Sequence, residues 1–261
     1  ALYSYVVNVL GGHHDEAVIS PYGEEKEKEL EIPTMIRMTL EGKPLRGTRP
    51  AEIGLYVLEG KKNGIIPVDV TVIDYSGIMI KEIKEENHKK ARKIIQEALK
   101  IDENMRFDIE FLKSLKKKHH DKYTEVAREL TLVYLYNKLK DSGKIILLVD
   151  GEYIANWEKG KLAELFGEYL RIISTFGSDK KYAIVVTKTD MFEENLIWKE
   201  PEEIEKKVYD KLYNNIITFK ELVNKGGGVA SLEFYTISAL AIPNSMEINE
   251  WGVDRIERFI F

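Results

Sequence analysis

Cysteine is absent from this 261-residue chain, which excludes a disulfide framework, a thiolate metal site and a cysteine nucleophile. No run of apolar residues approaches the ~20 that a membrane-spanning helix needs. A large excess of one charge is missing as well: 39 Lys and Arg stand against 44 Asp and Glu, for a net charge of −5. Nucleic-acid binders normally carry a strong basic excess, so this balance argues against one. What is present is an ordinary apolar content of 44 % and an unusually high charged content of 32 %, against a typical share of about 25 %. A chain of this length buries roughly three-quarters of its unfolded surface, enough for a genuine core. Abundant Lys and Glu without Cys resemble the composition of a hyperthermophile protein, and the expected compartment is the cytoplasm.

The chain opens on the apolar, helix-like run Ala1 to Leu10, which has no cap and is closed by Gly11-Gly12. An uncapped start of this kind predicts residues before Ala1. Residues 13–50, with Pro21, Pro33, Pro44 and Pro50 and the breakers Gly23, Gly42 and Gly47, read as a loop with one short strand at 34–40. Segments 52–59 and 67–74 are strand-like and joined across Asn63-Gly64, a strong hairpin signal. From 84 to 141 the pattern is helical and highly charged. Three apolar runs follow, at 144–150, 182–187 and 232–237, with helices expected near 159–175, 202–224 and 250–260. Short apolar runs alternating with helices predict buried parallel strands. The expected organisation is one domain over 1–261, with 84–141 as a helical insertion.

In open α/β sheets, ligands bind beyond the carboxyl ends of the strands. Three motifs stand at such ends. They are Asp74-Tyr75-Ser76-Gly77 (D-x-x-G), Thr187-Lys188-Thr189-Asp190 (T-K-x-D) and Ser238-Ala239-Leu240 (S-A-x). Each also has a plain structural reading: a strand-ending turn for the first, a helix N-cap for the second, a packing segment for the third. Their order and common placement make the set far more specific than its members.

The ordered trio resembles the later signatures of P-loop GTPases, over residues 48–241. The hairpin places the resemblance with the translation-factor-related and small GTPases; the small-Leu-Tyr start at Ala1-Leu2-Tyr3 is similar to prokaryotic double-GTPases. The resemblance implies a three-layer α/β fold on one mostly parallel sheet with a single antiparallel hairpin strand. It implies GTP or GDP with Mg²⁺ as ligands, and a protein partner or regulator. Asp74 would then serve the metal and the Gly77 amide the γ-phosphate. Lys188 would pack on guanine, Asp190 would accept from guanine N1 and N2, and a backbone N–H of Ser238-Ala239 would meet O6. Thr48 matches the position of the switch threonine that binds Mg²⁺, with Thr34 and Thr39 as rivals.

Two departures bear on that reading. The glutamine that orients the attacking water in many small GTPases is replaced by Ile78, which cannot hydrogen-bond water. Slow or partner-assisted hydrolysis follows. The P-loop G-x-x-x-x-G-K-[ST] is also missing, since no Gly-Lys pair is followed by Ser or Thr. The expectation is a P-loop lying before Ala1. The alternative function is a nucleotide-independent interaction module that uses 84–141 as its partner surface. Arg46 and Arg49 are read as solvated loop charges or as internal arginine fingers. His13-His14 and His119-His120 are read as surface residues, the basic patch at Lys113, Lys116–Lys118 and Lys122 as a solvated helix face, and Asp150 as a strand-end cap.

Overall fold

The computed structural model describes residues 13–22, 24–41, 48–49, 51–62, 66–102, 106–118, 120–177, 179–226, 231–241 and 248–260. They fall into two compact units, one within 7–140 and the other within 141–261. The expected helix at 1–10, Arg46, His119 and the Asn63-Gly64 turn lie outside the described residues.

In the first unit, β1 (His13–Ile19), β2 (Ile53–Lys62) and β3 (Ile66–Tyr75) form an antiparallel sheet in the order β1-β2-β3. The central strand β2 buries Ile53, Leu55, Tyr56 and Leu58. The Tyr56 ring lies back over Gly54: a Cβ there would come within 2.3 Å of the Tyr56 hydroxyl, so glycine leaves the room. That hydroxyl donates to the Leu30 carbonyl at 2.6 Å. Helices α1 (Glu24–Lys28) and α2 (Ile32–Leu40) lie between β1 and β2 in sequence.

Helices α3 (Glu85–Leu99), α4 (Ile109–Lys118), α5 (His120–Glu125) and α6 (Ala127–Asp141) follow the sheet. Helix α3 buries Ala91, Ile95 and Leu99, one stripe at four-residue spacing. Its opposite face carries the ion pairs Glu85–Lys89 and Glu86–Lys90 at 2.7 and 2.9 Å. Helix α6 is buried from Leu130 through Tyr136 without a polar face, and His88 stacks on Tyr136 with 4.2 Å between ring centroids. Of the expected basic patch, Lys113 pairs with Asp15 and Lys116 reaches the Val18 carbonyl.

The second unit is built on β4 (Lys144–Asp150), β5 (Lys181–Thr187) and β6 (Ser231–Thr236), all parallel and in that order. The chain passes from β4 to β5 through α7 (Gly151–Ala155) and α8 (Lys159–Phe176). It passes from β5 to β6 through α9 (Pro201–Asn215) and α10 (Ile217–Gly226). Tyr182 to Val186 of β5 are all buried, as a central parallel strand requires. Ala183, Val185, Tyr235 and Ile237 pack with Val253, Ile256 and Phe259. Phe219 of α10 sits among Phe166, Tyr209 and Phe234, with ring centroids 4.8, 5.5 and 5.9 Å away. A two-stranded antiparallel pair, β7 (Ser238–Ala241) and β8 (Ile248–Trp251), completes this unit with the four-residue helix α11 (Glu257–Ile260).

The expected single, mostly parallel sheet of the P-loop kind is therefore not the fold. There is one three-stranded antiparallel sheet and one three-stranded parallel sheet, and no ladder among the described residues joins them. Among the described residues β3 pairs only with β2, and the connections set the strand direction within each sheet. Parallel pairing needs a crossover of a dozen or more residues, and helical crossovers of that kind link β4, β5 and β6. The strands β2 and β3 are only three residues apart in sequence and can pair only antiparallel. Residues 13–19, read as loop, add a third antiparallel strand to the free side of β2.

Two further corrections are local. Residues 34–40 are helical rather than extended, because Pro33 occupies the first turn of α2, where a missing N–H costs nothing. The segment 250–260 is the end of β8 followed by short helical turns rather than one helix. Segment 84–141 is helical as expected, as α3 to α6. No helix among the described residues is long and apolar enough to cross a membrane.

Phe219 is fully buried against three rings. Phe219→Ala is expected to lower the unfolding free energy by about 3–5 kcal/mol, read from a shifted midpoint in urea unfolding of the full chain.

Candidate functional site

The parallel sheet ends in three loops that are tied to one another. Strands β4 and β5 are in register at their ends, Asp150 opposite Thr187. Thr187 Oγ1 donates to the Val149 carbonyl at 3.2 Å. Gly151 then passes hard against the next loop: a Cβ on it would lie 2.3 Å from the Thr187 carbonyl oxygen and 2.7 Å from that of Lys188. Lys188 turns the chain through the left-handed region at φ 52°. A non-glycine residue in that region costs roughly 1–2 kcal/mol, and such strain gathers at functional turns.

The turn is held from below by Thr189, which is fully buried. Its N–H and its hydroxyl both donate to the Ile237 carbonyl, at 3.2 and 2.9 Å. The Ile237 N–H returns to the Val186 carbonyl at 2.8 Å. Thus the loop after β5 and the loop after β6 are locked at one point, and the residues on either side of it, Asp190 and Ser238, become neighbours. The Ser238 hydroxyl donates to Asp190 Oδ1. Ser238 is buried while Asp190 and Lys188 are exposed. Ala239 lies in β7 opposite Glu250.

The neighbouring side chains are also fixed. Lys188 Nζ pairs with Asp150 Oδ2 at 2.8 Å. The other oxygen of Asp150 accepts the Glu152 N–H at 3.0 Å and so caps α7. Following the T-K-x-D turn, Glu193 is buried and bridges Lys199 and Lys207. Hydrogen bonds from those two ammonium groups hold its carboxyl below the usual range. On α9, Glu205 accepts the Thr236 N–H at 3.3 Å and pairs with Arg255; burial outweighs these partners and raises its pKa.

The D-x-x-G motif lies in the antiparallel unit. Asp74 is near the end of β3, and Thr48 Oγ1 donates to its Oδ2 at 2.6 Å. Burial and the Asp74 charge push the Tyr75 hydroxyl up to about 12. Gly77 opens a short 3₁₀ turn, with empty space where a Cβ would stand. Ile78 beside it is 61 % exposed. Of the rival threonines, Thr34 and Thr39 sit on α2. Arg49 lies over the Tyr22 ring at 5.2 Å, and its N–H donates to Glu52.

The donor sets can be tested against the ligands that the resemblance implies. Thr48 and Asp74 offer a hydroxyl and a carboxylate in contact, both hard oxygens. Mg²⁺ takes one or two such protein groups and fills its octahedron with water and phosphate, so the pair fits. No group of three or more His, Cys, Asp and Glu among the described residues could hold a metal alone. At the parallel edge, a carboxylate has about four acceptor positions. The Ser238 hydroxyl uses one of those on Asp190, which leaves acceptors for two in-plane donors.

The structure brings Lys188, Asp190 and Ser238 together in one unit, and Thr48 with Asp74 in the other. It adds three residues that the motifs did not single out for the site: Asp150 as partner of Lys188, Gly151 as the point of closest backbone approach, and Thr189 as the tie between loops. Thr189 occupies the unspecified position of T-K-x-D, so no pattern marks it. Asp-Gly at a strand end is a weak signal for close approach.

The chain matches no protein-family model, no curated protein and no solved structure.

Gly151→Ala would set a methyl group against two backbone oxygens that cannot move without breaking the loop ties. It is expected to cost about 1–3 kcal/mol, visible as a lower thermal midpoint. An unchanged midpoint would show that the loops are not held as described.

Proposed function

We propose that the protein binds a guanine nucleotide, with the purine base read at the carboxyl edge of the parallel sheet. The observation that carries this reading is the Ser238–Asp190 hydrogen bond. It joins two motifs 48 residues apart into the constellation that base recognition needs. Asp190 presents a carboxylate that can only accept hydrogen bonds, and Ser238 fixes its orientation. Guanine offers two donors on one edge, N1–H and the C2 amino group. Adenine offers an acceptor at N1 and nothing at C2, so it would leave the remaining acceptors of the carboxylate without donors. The aliphatic stem of Lys188 covers the face of the base, and a backbone N–H of Ser238-Ala239 meets guanine O6.

The antiparallel unit is read by itself: Asp74 and Thr48, already in contact, are proposed to hold Mg²⁺ there. Asp74 contributes the carboxylate, and Thr48 the neutral oxygen whose hydroxyl now points at it. Ile78 cannot orient a water molecule, so hydrolysis would need another residue, a protein partner or a substrate-assisted route. Binding and release of nucleotide, rather than rapid turnover, is the activity this reading assigns.

The test is a nucleotide titration of the full-length protein in the presence of Mg²⁺. GTP is expected to bind at least about 100-fold more tightly than ATP, the worth of two hydrogen bonds to a charged group. Asp190→Asn should invert the preference toward xanthosine triphosphate, whose C2 carbonyl wants a donor. Equal affinities for GTP and ATP would remove the guanine assignment.

A further inference from the structure

We infer that Asp150 is a positioning residue for the base site, holding the Lys188 side chain in the place where it covers the purine. This rests on the assignment of Lys188, Asp190 and Ser238 to the base. Sequence alone makes Asp150 a strand-end cap, and in the structure it caps α7: Oδ1 accepts the Glu152 N–H at 3.0 Å. Capping uses one oxygen. The other, Oδ2, lies 2.8 Å from Lys188 Nζ, and that second contact reaches across to a different loop.

The backbone makes the reach invariant. Asp150 and Thr187 are register partners in the parallel ladder. Gly151 packs its Cα against the Thr187 and Lys188 carbonyls with no room for a methyl group. The left-handed turn at Lys188 is pinned from beneath by the buried Thr189. The two Cα positions are therefore set by strand pairing and close packing. What is left free is the lysine stem, four rotatable bonds on an exposed residue. Left alone, such a side chain samples many rotamers and gives up roughly 2 kcal/mol of entropy when a ligand fixes it. An anchored carboxylate at the right distance narrows that sampling before the base arrives, which is preorganisation in its simplest form. An exposed ion pair adds little to folding stability, so the contact should show itself in binding rather than in the melting point.

The capping role and the positioning role can be separated. Asp150→Ser keeps a good N-cap but cannot reach Lys188. Lys188→Met keeps an apolar stem to pack on the base but has no charge for Asp150. Binding of a fluorescent GDP analogue to the full-length protein would be measured for the wild type, each variant and the double variant. Asp150→Ser is expected to weaken binding about tenfold, within the range of coupling energies between contacting residues, with a thermal midpoint close to the wild-type value. In the Lys188→Met background the same change should alter affinity by less than about twofold, the residual expected of uncoupled sites. An equal loss in both backgrounds would overturn the inference and leave Asp150 a structural cap. Wild-type affinity in Asp150→Ser would overturn it too, while the base assignment would stand. If the wild type binds no guanine nucleotide, the base assignment itself fails, and the inference with it.

Discussion

One fully buried hydroxyl, that of Thr189, holds the loop after β5 to the loop after β6. Because both its N–H and its Oγ1 go to the Ile237 carbonyl, the distance between the two loops is set by short, directional bonds in a water-free place. Asp190 and Ser238 inherit their positions from that tie. Asp190 follows Thr189 directly, Ser238 follows Ile237 directly, and their side chains meet. Gly151 supplies the matching constraint from the other side, by letting the β4 loop come to within contact of the Thr187 and Lys188 carbonyls. The site is thus built on strand ends rather than on long loops, which is where positional accuracy is cheapest to obtain.

Much of this edge was legible in the sequence. The runs at 144–150, 182–187 and 232–237 fall within a residue or so of β4, β5 and β6, because each is a short apolar run between helices, although only the central β5 is buried along its length. The residues following them were readable for the same reason. The hairpin of β2 and β3 was legible from alternation and turn chemistry.

Other parts were not. In β1, His13-His14-Asp15-Glu16 hides a strand behind polar residues, since what specifies it is pairing with β2 rather than its own composition. In α2, Pro33 was taken as a breaker although the first helical turn tolerates it. Most consequentially, the hairpin and the parallel runs are each legible, but their membership of one sheet rests on the family resemblance alone. The 68 residues between β3 and β4 are long enough for a parallel crossover, so the link length leaves sheet membership undecided. The contact of Asp150 with Lys188 left no trace in the pattern, because a cap explains an aspartate at a strand end completely.

The account stands or falls on whether Asp190 reads the donor edge of guanine. The most direct measurement is the affinity of the full-length protein for GTP, inosine triphosphate and ATP under one set of conditions. Hypoxanthine keeps N1–H and lacks the C2 amino group, so it loses one of the two bonds to the carboxylate. The account predicts a graded order, GTP tightest, inosine triphosphate weaker by the roughly tenfold worth of one hydrogen bond to a charged group, and ATP weakest by far. Equal affinity for all three would contradict it.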